Sequence, residues 1–284
     1  MKKSNSFTPD WERFEIECTN FLNSKFNNLG FNFIRKGSTD STETDITISK
    51  NGVELASIEA KMPNSQAGQI VVLIENDKFV FSQASVAPNN IFTQSIIDYI
   101  NDNFQEYNNV STSSIKIDLD EDILYSRIVE HYTNVKKSAF FITGDIRTGH
   151  KAIFKCAELK NYFSISAVLR RKRSGTSDLP KKYRDSHLPK IDESLSNKSI
   201  YITDTDEKNN KLYVTLNEEI KETSSQYITC EDFDIFLAAE SGSTYRVKKR
   251  SNTNNPNIMF ELSLKFTLNE DIGLEKFNNY LNSL

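Results

Sequence analysis

Cysteine, histidine and long apolar runs are all scarce in this 284-residue chain, and each scarcity excludes a class of protein. The three cysteines lie far apart and form no Cys-x-x-Cys pair, which argues against a disulfide framework and against a zinc knuckle. The three histidines are isolated, so neither an HNH-type site nor a histidine metal site is indicated. No run is apolar over the length of a membrane helix, nor, at the start of the sequence, over that of a signal peptide. We therefore expect a reduced, cytoplasmic protein without membrane contact.

What the chain does have is an uneven distribution of charge. The net charge is −4 at pH 7, which argues against indiscriminate coating of nucleic acid. Residues 1–145 carry 13 Lys and Arg against 20 Asp and Glu, whereas residues 146–284 carry 22 against 19. In this second part the bases concentrate in LRRKRSGTSDLPKKYR (169–184) and YRVKKRSNTNNPN (245–257). Local basic loops beside an acidic part suggest a carboxylate site next to a grip on a polyanion.

The first part of the chain has the pattern of an α/β core. Apolar residues recur at helical spacing over 11–29, and Gly30 is typical of a helix end. Strands are predicted next at 31–36, 44–48 and 53–60, the last two forming a hairpin. We predict an α/β fold in which a mixed central sheet is flanked by helices. Residues 1–145 are expected to form a catalytic core and residues 146–284 a β-rich recognition portion, packed as one continuous unit.

The segment VELASIEAK at 53–61 is apolar enough for a buried strand, yet it ends in Glu59 and Lys61. Buried charges are costly unless they are paired or bind a metal. Because side chains alternate along a strand, Glu59 and Lys61 share one face, and Asp45 lies on the preceding strand. Asp45 and Glu59 supply the oxygen ligands that Mg²⁺ prefers, and Lys61 is placed to orient or activate an attacking water and to offset charge. Asp40 is a competing first acid, but its polar surroundings indicate a loop, so we assign Asp45.

The hairpin between the two acidic strands sets a geometric condition on this site. Directly paired residues of antiparallel strands lie on the same face. A regular two-residue turn at Asn51-Gly52 would pair Asp45 with Ile58 and place it on the face opposite to Glu59. A three-residue loop or a one-residue bulge would bring both carboxylates onto one face. We therefore predict an odd-length loop with Gly52 at positive φ, or a bulge between Asp45 and Glu59.

The spacing Asp–x13–Glu–x–Lys across two strands after a helix resembles the PD-(D/E)xK nuclease superfamily. Four stretches, FEIEC, KGSTDSTETDI, IEAKMPNSQAGQ and YRVKKRSNTNNPNIMFELSLK, are similar to type II restriction endonucleases that recognise GCGC. The resemblance covers most of the chain and is looser in the middle. It implies a PD-(D/E)xK core and Mg²⁺-dependent cleavage of unmodified double-stranded DNA after the third base of GCGC, with short 3′ overhangs. It also implies a cognate DNA methyltransferase that acts on the same site without needing direct contact.

Two further catalytic candidates follow from the first helix and from the segment after Lys61. At about 100° per residue, Glu15 lies roughly 60° from the centre of the apolar face, closer than the other glutamates of the helix. The resemblance makes Glu15 a candidate catalytic residue, because several nucleases of the superfamily use a first-helix carboxylate. An ordinary boundary glutamate is the alternative. Gln66 and Gln69 are expected at a loop and a helix start, where they would contact phosphate or position water, or serve only as loop residues.

The two basic stretches contain related runs, RKRSGTSDLP at 171–180 and KKRSNTNNP at 248–256, which we interpret as two loops with a similar role. Arg and Lys can hold guanine, Asn and Ser can read other base edges, and the remaining bases contact phosphate. A solvated charged face is the alternative. The residues assigned to DNA binding are Arg170, Arg171, Lys172, Arg173, Ser174, Lys181, Lys182, Arg246, Lys248, Lys249, Arg250, Asn252 and Asn254.

Two other functions remain open at this level. One is a repair or modification-dependent nuclease that uses the same site on another DNA target. The other is a catalytically silent DNA-binding module, against which the presence of Asp45, Glu59 and Lys61 argues.

Overall fold

The computed structural model describes residues 10–36, 44–83, 85, 87–145, 148–173, 175–251 and 253–284. Among the candidate residues, Asp40, Ser174, Asn252 and the side chain of Arg173 lie outside this description. Within the described ranges, no helix combines the length and the apolar character needed to cross a membrane.

The chain divides into two compact units, and the boundaries differ from the expected residue 145. The first unit comprises Met1–Arg171 and Pro256–Leu284, and the second comprises Lys172–Asn255. The boundary shifts because strands that follow residue 145 pair with strands that precede it, so they add to the first unit. The expected β-rich recognition portion therefore shrinks to its middle segment.

Helices and strands alternate irregularly along the chain. In order they are α1 (Asp10–Phe26), β1 (Phe31–Arg35), β2 (Ile46–Lys50), β3 (Val53–Ala60), β4 (Asn64–Glu75), β5 (Lys78–Phe81), α2 (Ile91–Asp102), α3 (Phe104–Tyr107), β6 (Ile115–Ile117), α4 (Glu121–Glu130), β7 (Phe140–Gly144), β8 (Lys151–Lys155), α5 (Leu159–Tyr162), β9 (Phe163–Arg173), β10 (Thr176–Asp178), α6 (Arg184–Ser196), β11 (Ile202–Lys208), β12 (Lys211–Leu216), β13 (Tyr227–Ile228), β14 (Ile235–Ser241), β15 (Thr244–Arg250), β16 (Asn254–Leu264) and α7 (Leu274–Ser283).

One sheet of the first unit has the strand order β1-β2-β3-β7-β8. It is mixed, because β3 and β7 are parallel while the other neighbours are antiparallel. Helix α1 buries an apolar stripe, spaced every four residues as helical periodicity requires, in a core shared with this sheet and with α7. The stripe consists of Phe14, Cys18, Leu22 and Phe26. The predicted mixed sheet flanked by helices is confirmed.

A second sheet of the first unit has the order β5-β4-β16-β9-β6 and shares a larger core with α2 and α4. Strand β4 begins at Asn64, six residues before the strand expected at 70–75. The expectation of a loop around Gln66 and Gln69 is therefore wrong. The polar sequence concealed a strand whose backbone hydrogen bonds are satisfied by pairing with β16.

The second unit is built on a sheet of order β11-β12-β15-β14-β13, with β10 paired to β15. Helix α6 packs into its core through Ile191 and Leu195. The sequence pattern did not predict this helix, since the segment RDSHLPKIDESLS is mostly polar and contains Pro189. Its place in the fold depends on a few apolar contacts rather than on a continuous apolar face.

Candidate active site

The β2–β3 hairpin contains the bulge on which the candidate site depends. Asn51 and Gly52 form a two-residue turn with φ of 53° and 80°, both in the left-handed region. One residue later the register shifts, and Leu55 is left without a partner in β2. The pairs are Lys50 with Val53, Ser49 with Glu54, Ile48 with Ala56, Thr47 with Ser57 and Ile46 with Ile58. Continuing this register places Asp45 opposite Glu59, so the predicted bulge is confirmed.

Asp45, Glu59 and Lys61 converge as a result. The Lys61 Nζ lies 3.1 Å from Glu59 Oε2 and 3.5 Å from Asp45 Oδ2. The backbone N–H of Ala60 donates to Asp45 Oδ2 at 2.9 Å, which fixes that carboxylate at the edge of the sheet. Glu59 is completely buried, with 0% of its surface exposed. Both carboxylates therefore point at one shared cation.

A second lysine, which the sequence analysis did not single out, completes the surroundings of Glu59. The Lys136 Nζ donates to both oxygens of the Glu59 carboxylate, at 3.0 and 3.2 Å, and the Ser138 hydroxyl donates at 3.4 Å. Lys136 follows a five-residue π-helical turn, His131–Val135, which is a rare backbone form often found at functional sites. The aromatic ring of Tyr132 lies under both ammonium groups, 5.4 Å from Lys61 and 5.6 Å from Lys136.

Burial and charge act against each other in this cluster. Burial raises the pKa of the Glu59 carboxyl above its ordinary value, while Lys61 and Lys136 oppose the rise and Asp45 adds to it. Burial acts to lower the pKa of Lys61, but Tyr132 and the two carboxylates together hold it well above its ordinary value. Lys61 is therefore an ammonium at neutral pH, and an ammonium only donates hydrogen bonds. Of the roles considered for it, orientation and charge compensation are favoured over activating water as a base.

The cationic groups also affect a neighbouring histidine. Burial lowers the pKa of His131 to about 4, and the nearby positive charges of Arg127, Lys136 and Lys61 contribute to the decrease. His131 is consequently neutral near pH 7.

Glu15 is the buried glutamate of helix α1, whereas Glu17 is exposed, as the helical phase predicted. Burial raises the pKa of Glu15, and the charge of Asp45 contributes to the rise, so the two carboxylates are near enough to interact. Arg35 donates from Nε to Glu15 Oε2 at 2.9 Å and also pairs with Glu12 at 3.2 Å. Glu15 thus lies beside the cluster, but its carboxylate is held by an arginine.

The two glutamines belong to strand β4. The Gln66 side chain donates to the carbonyl of Gly68 at 3.3 Å, so it closes a local contact. Gln69 pairs in register with Met259 of β16. Its assignment as a catalytic residue stays a prediction.

Asp45 and Glu59 form a donor set that fits Mg²⁺. In the described part of the chain, no group of three or more His, Cys, Asp or Glu side chains is arranged to hold a metal. Mg²⁺ usually takes one or two carboxylates and completes its octahedron with water and substrate phosphate. Two carboxylates that share one cation, 14% exposed at Asp45 and buried at Glu59, meet this requirement.

The two basic stretches come together within the second unit. Strand β10 runs antiparallel to β15, and the Ser251 N–H donates to the carbonyl of Gly175 at 3.3 Å. The pairs are Thr176 with Arg250, Ser177 with Lys249 and Asp178 with Lys248. The similarity between the two runs therefore corresponds to spatial neighbours.

The individual bases of these stretches have different surroundings. Arg246 forms a two-pronged ion pair with Asp178, at 2.5 and 2.6 Å, so part of its charge has an intramolecular role. Lys249 lies 4.3 Å from the ring centroid of Phe233, at a groove of about 840 Å³ that Asp232 also lines. Arg250 lies over the ring of Tyr227 at 4.7 Å.

Other assigned bases are held elsewhere. In the first unit, the Arg170 Nε lies 2.8 Å from the sulfur of Met259, and the Arg171 Nε donates to the carbonyl of Val110 at 3.0 Å. In the second unit, Lys182 lies over the ring of Tyr183 at 4.8 Å. DNA contact by these residues stays a prediction.

Comparison with known proteins gives one informative result. No protein-family model matches the chain, and no curated protein sequence matches it. Among solved structures, the HhaI endonuclease in complex with DNA is similar, with a TM-score of 0.74 and 32% sequence identity. The match covers 97% of this chain and 100% of that chain, so the likeness spans nearly the whole molecule.

Proposed function

This chain belongs to the family of the HhaI endonuclease, and from that premise we propose that it is a type II restriction endonuclease that cuts double-stranded DNA with Mg²⁺. The single observation that supports the chemistry best is the convergence of Asp45, Glu59 and Lys61, which the bulge at Leu55 makes geometrically possible. This is the arrangement of the PD-(D/E)xK nucleases that the sequence resembles.

In this proposal Asp45 and Glu59 hold the ion. Mg²⁺, when bound, polarises the phosphodiester and makes water a stronger nucleophile. Lys61, charged at neutral pH, orients the attacking water and offsets the negative charge that develops on the phosphate. Glu15 borders the same cluster and, through Arg35, fixes the side of the site formed by helix α1.

The target is proposed to be GCGC, because the sequence stretches around both the acidic hairpin and the basic loops resemble enzymes with that specificity. The groove of the second unit offers matching chemistry. A lysine such as Lys249 donates to guanine O6 and N7, and a carboxylate such as Asp232 accepts from the cytosine amino group. Lys248 and Arg250 would contact phosphate on either side. A cognate methyltransferase would protect the same sequence in the host cytoplasm.

The test is a digest of a plasmid of known sequence with Mg²⁺ or with EDTA, followed by mapping of the ends. We expect fragments that end after the third base of GCGC, no cleavage in EDTA, and no cleavage of DNA methylated on the inner cytosine. Asp45→Asn is the matched control for a contaminating nuclease, because it retains the side-chain shape. Ends at another sequence would reject the specificity, and the absence of any Mg²⁺-dependent cleavage would reject the enzyme.

A further inference from the structure

Lys136 forms the closest cationic contact of the buried glutamate, and the proposed reaction gives it no role. Its ammonium reaches both Glu59 oxygens, at 3.0 and 3.2 Å, and only 9% of its side chain is exposed. A lysine carries considerable rotamer entropy, which is lost when the side chain is fixed in this way. A compensating interaction is therefore required, and Glu59 supplies it.

The charges of the cluster balance without a metal. Asp45 and Glu59 contribute two negative charges, and Lys61 and Lys136 contribute two positive ones. Glu15 is balanced separately by Arg35. A dication held by the same two carboxylates would lie beside both ammonium groups and repel them.

We propose that Lys136 is the internal counter-cation of Glu59: it neutralises the buried carboxylate in the metal-free protein and withdraws when a divalent cation binds. The inference rests on the proposed function, since it assumes that Glu59 is a metal ligand. Without a second cation, a completely buried carboxylate beside Asp45 would destabilise the metal-free fold. With it, the protein stays folded until the ion arrives.

The surroundings of Lys136 allow it to withdraw. The Tyr132 ring faces its ammonium at 5.6 Å, which offers the charge a second favourable position. Ser138 continues to donate to Glu59, so the carboxylate keeps a hydrogen bond. Lys136 also stands between a π-helical turn and Lys137 at a φ of 55°, two uncommon backbone forms in succession.

The experiment compares Lys136→Met with Lys137→Met, which removes the same charge from an exposed neighbouring position. Thermal unfolding of the full chain is followed without DNA, in EDTA and over a series of Mg²⁺ concentrations, and Mg²⁺ binding is measured by calorimetry. We expect Lys136→Met to unfold several degrees lower than wild type in EDTA. Mg²⁺ should restore most of that difference and should bind about tenfold more tightly, because one like charge beside the dication is gone. Lys137→Met and Lys136→Arg should follow wild type.

Several outcomes overturn the inference, and they differ from failure of the proposed function. If Lys136→Met is destabilised equally with and without Mg²⁺, or binds Mg²⁺ with unchanged affinity, Lys136 is only structural. If wild type binds no Mg²⁺, or Glu59→Gln binds it equally well, the metal site itself is wrong, and the inference falls with it. Should Lys136→Met not fold in EDTA, Lys136→Gln provides the same comparison, because it retains a hydrogen bond to Glu59 and removes only the charge.

Discussion

Asp45→Asn should abolish cleavage of DNA while the protein remains folded and able to bind its target. The substitution retains a side-chain oxygen that can accept the 2.9 Å hydrogen bond from the Ala60 N–H. It removes the negative charge on which metal binding depends. A decrease of at least about a thousandfold in the rate of cleavage is expected, equivalent to about 4 kcal/mol of transition-state stabilisation.

The expected decrease in stability differs between the two carboxylates, and this difference makes the prediction sharp. Asp45 is partly exposed and meets Lys61 at 3.5 Å, so Asp45→Asn should cost only about 1 kcal/mol of unfolding free energy. Glu59 is completely buried between two ammonium groups, at 3.1 and 3.0 Å. Glu59→Gln leaves both ammonium groups undercompensated, and breaking a buried pair costs about 3–5 kcal/mol.

Three measurements on each variant separate these effects. Single-turnover cleavage in Mg²⁺ gives the catalytic effect, binding of a GCGC duplex in EDTA gives the affinity, and urea unfolding in EDTA gives the stability. Cleavage by Asp45→Asn within about tenfold of wild type would refute its role as a ligand and leave Asp40 as the better candidate. A parallel decrease of binding and cleavage would indicate a structural role instead. Equal stability of the two variants would contradict the burial argument.

Three further outcomes are expected. Neutralising Lys248, Lys249 and Arg250 together should weaken DNA binding and lower its salt dependence by about one unit of slope for each phosphate that is released; an unchanged slope would return them to a solvated face. Because the pKa of His131 is lowered to about 4, the unfolded chain takes up its proton first, so stability should fall by up to about 3 kcal/mol as pH drops from 6.5 toward 4. The variant His131→Gln should flatten that acid limb in urea titrations at each pH. Gly52→Ala should cost about 1 kcal/mol, since φ is 80° and no atom lies within 4 Å of the added methyl, and an unchanged unfolding midpoint would show that the turn relaxes.

The hairpin shows how much of the site the sequence could predict. The Asn-Gly pair identifies the turn, alternation identifies the faces, and together they require one extra residue between Asp45 and Glu59. These are local features, and the structure contains them. The position of the extra residue, Leu55, could not be predicted, because any position within the hairpin satisfies the same condition.

The interactions that the sequence did not predict are those between distant segments. Lys136 lies 77 positions after Glu59 and reaches it because β7 pairs in parallel with β3, which brings the residues before β7 to the cluster. No periodicity in either segment contains that information. The boundary of the first unit follows the same rule, since residues 256–284 join it through pairing of β16 with β4.

The combination of burial and charge at Glu59 raises the question of how the protein folds before any ion binds. An apolar strand that ends in a carboxylate is stable only if a cation is supplied from elsewhere in the chain. Lys61 alone cannot balance both Asp45 and Glu59, whereas Lys61 and Lys136 together can. The same pairing limits how tightly a metal can bind in the absence of DNA, because each ammonium competes with it. Substrate phosphate adds negative charge to the cluster and shifts that competition toward the ion, so Mg²⁺ should bind more tightly when DNA is present. Mg²⁺ titrations of Glu59→Gln and wild type, each with and without a GCGC duplex, measure this coupling directly, and equal affinities for wild type in both conditions would contradict it.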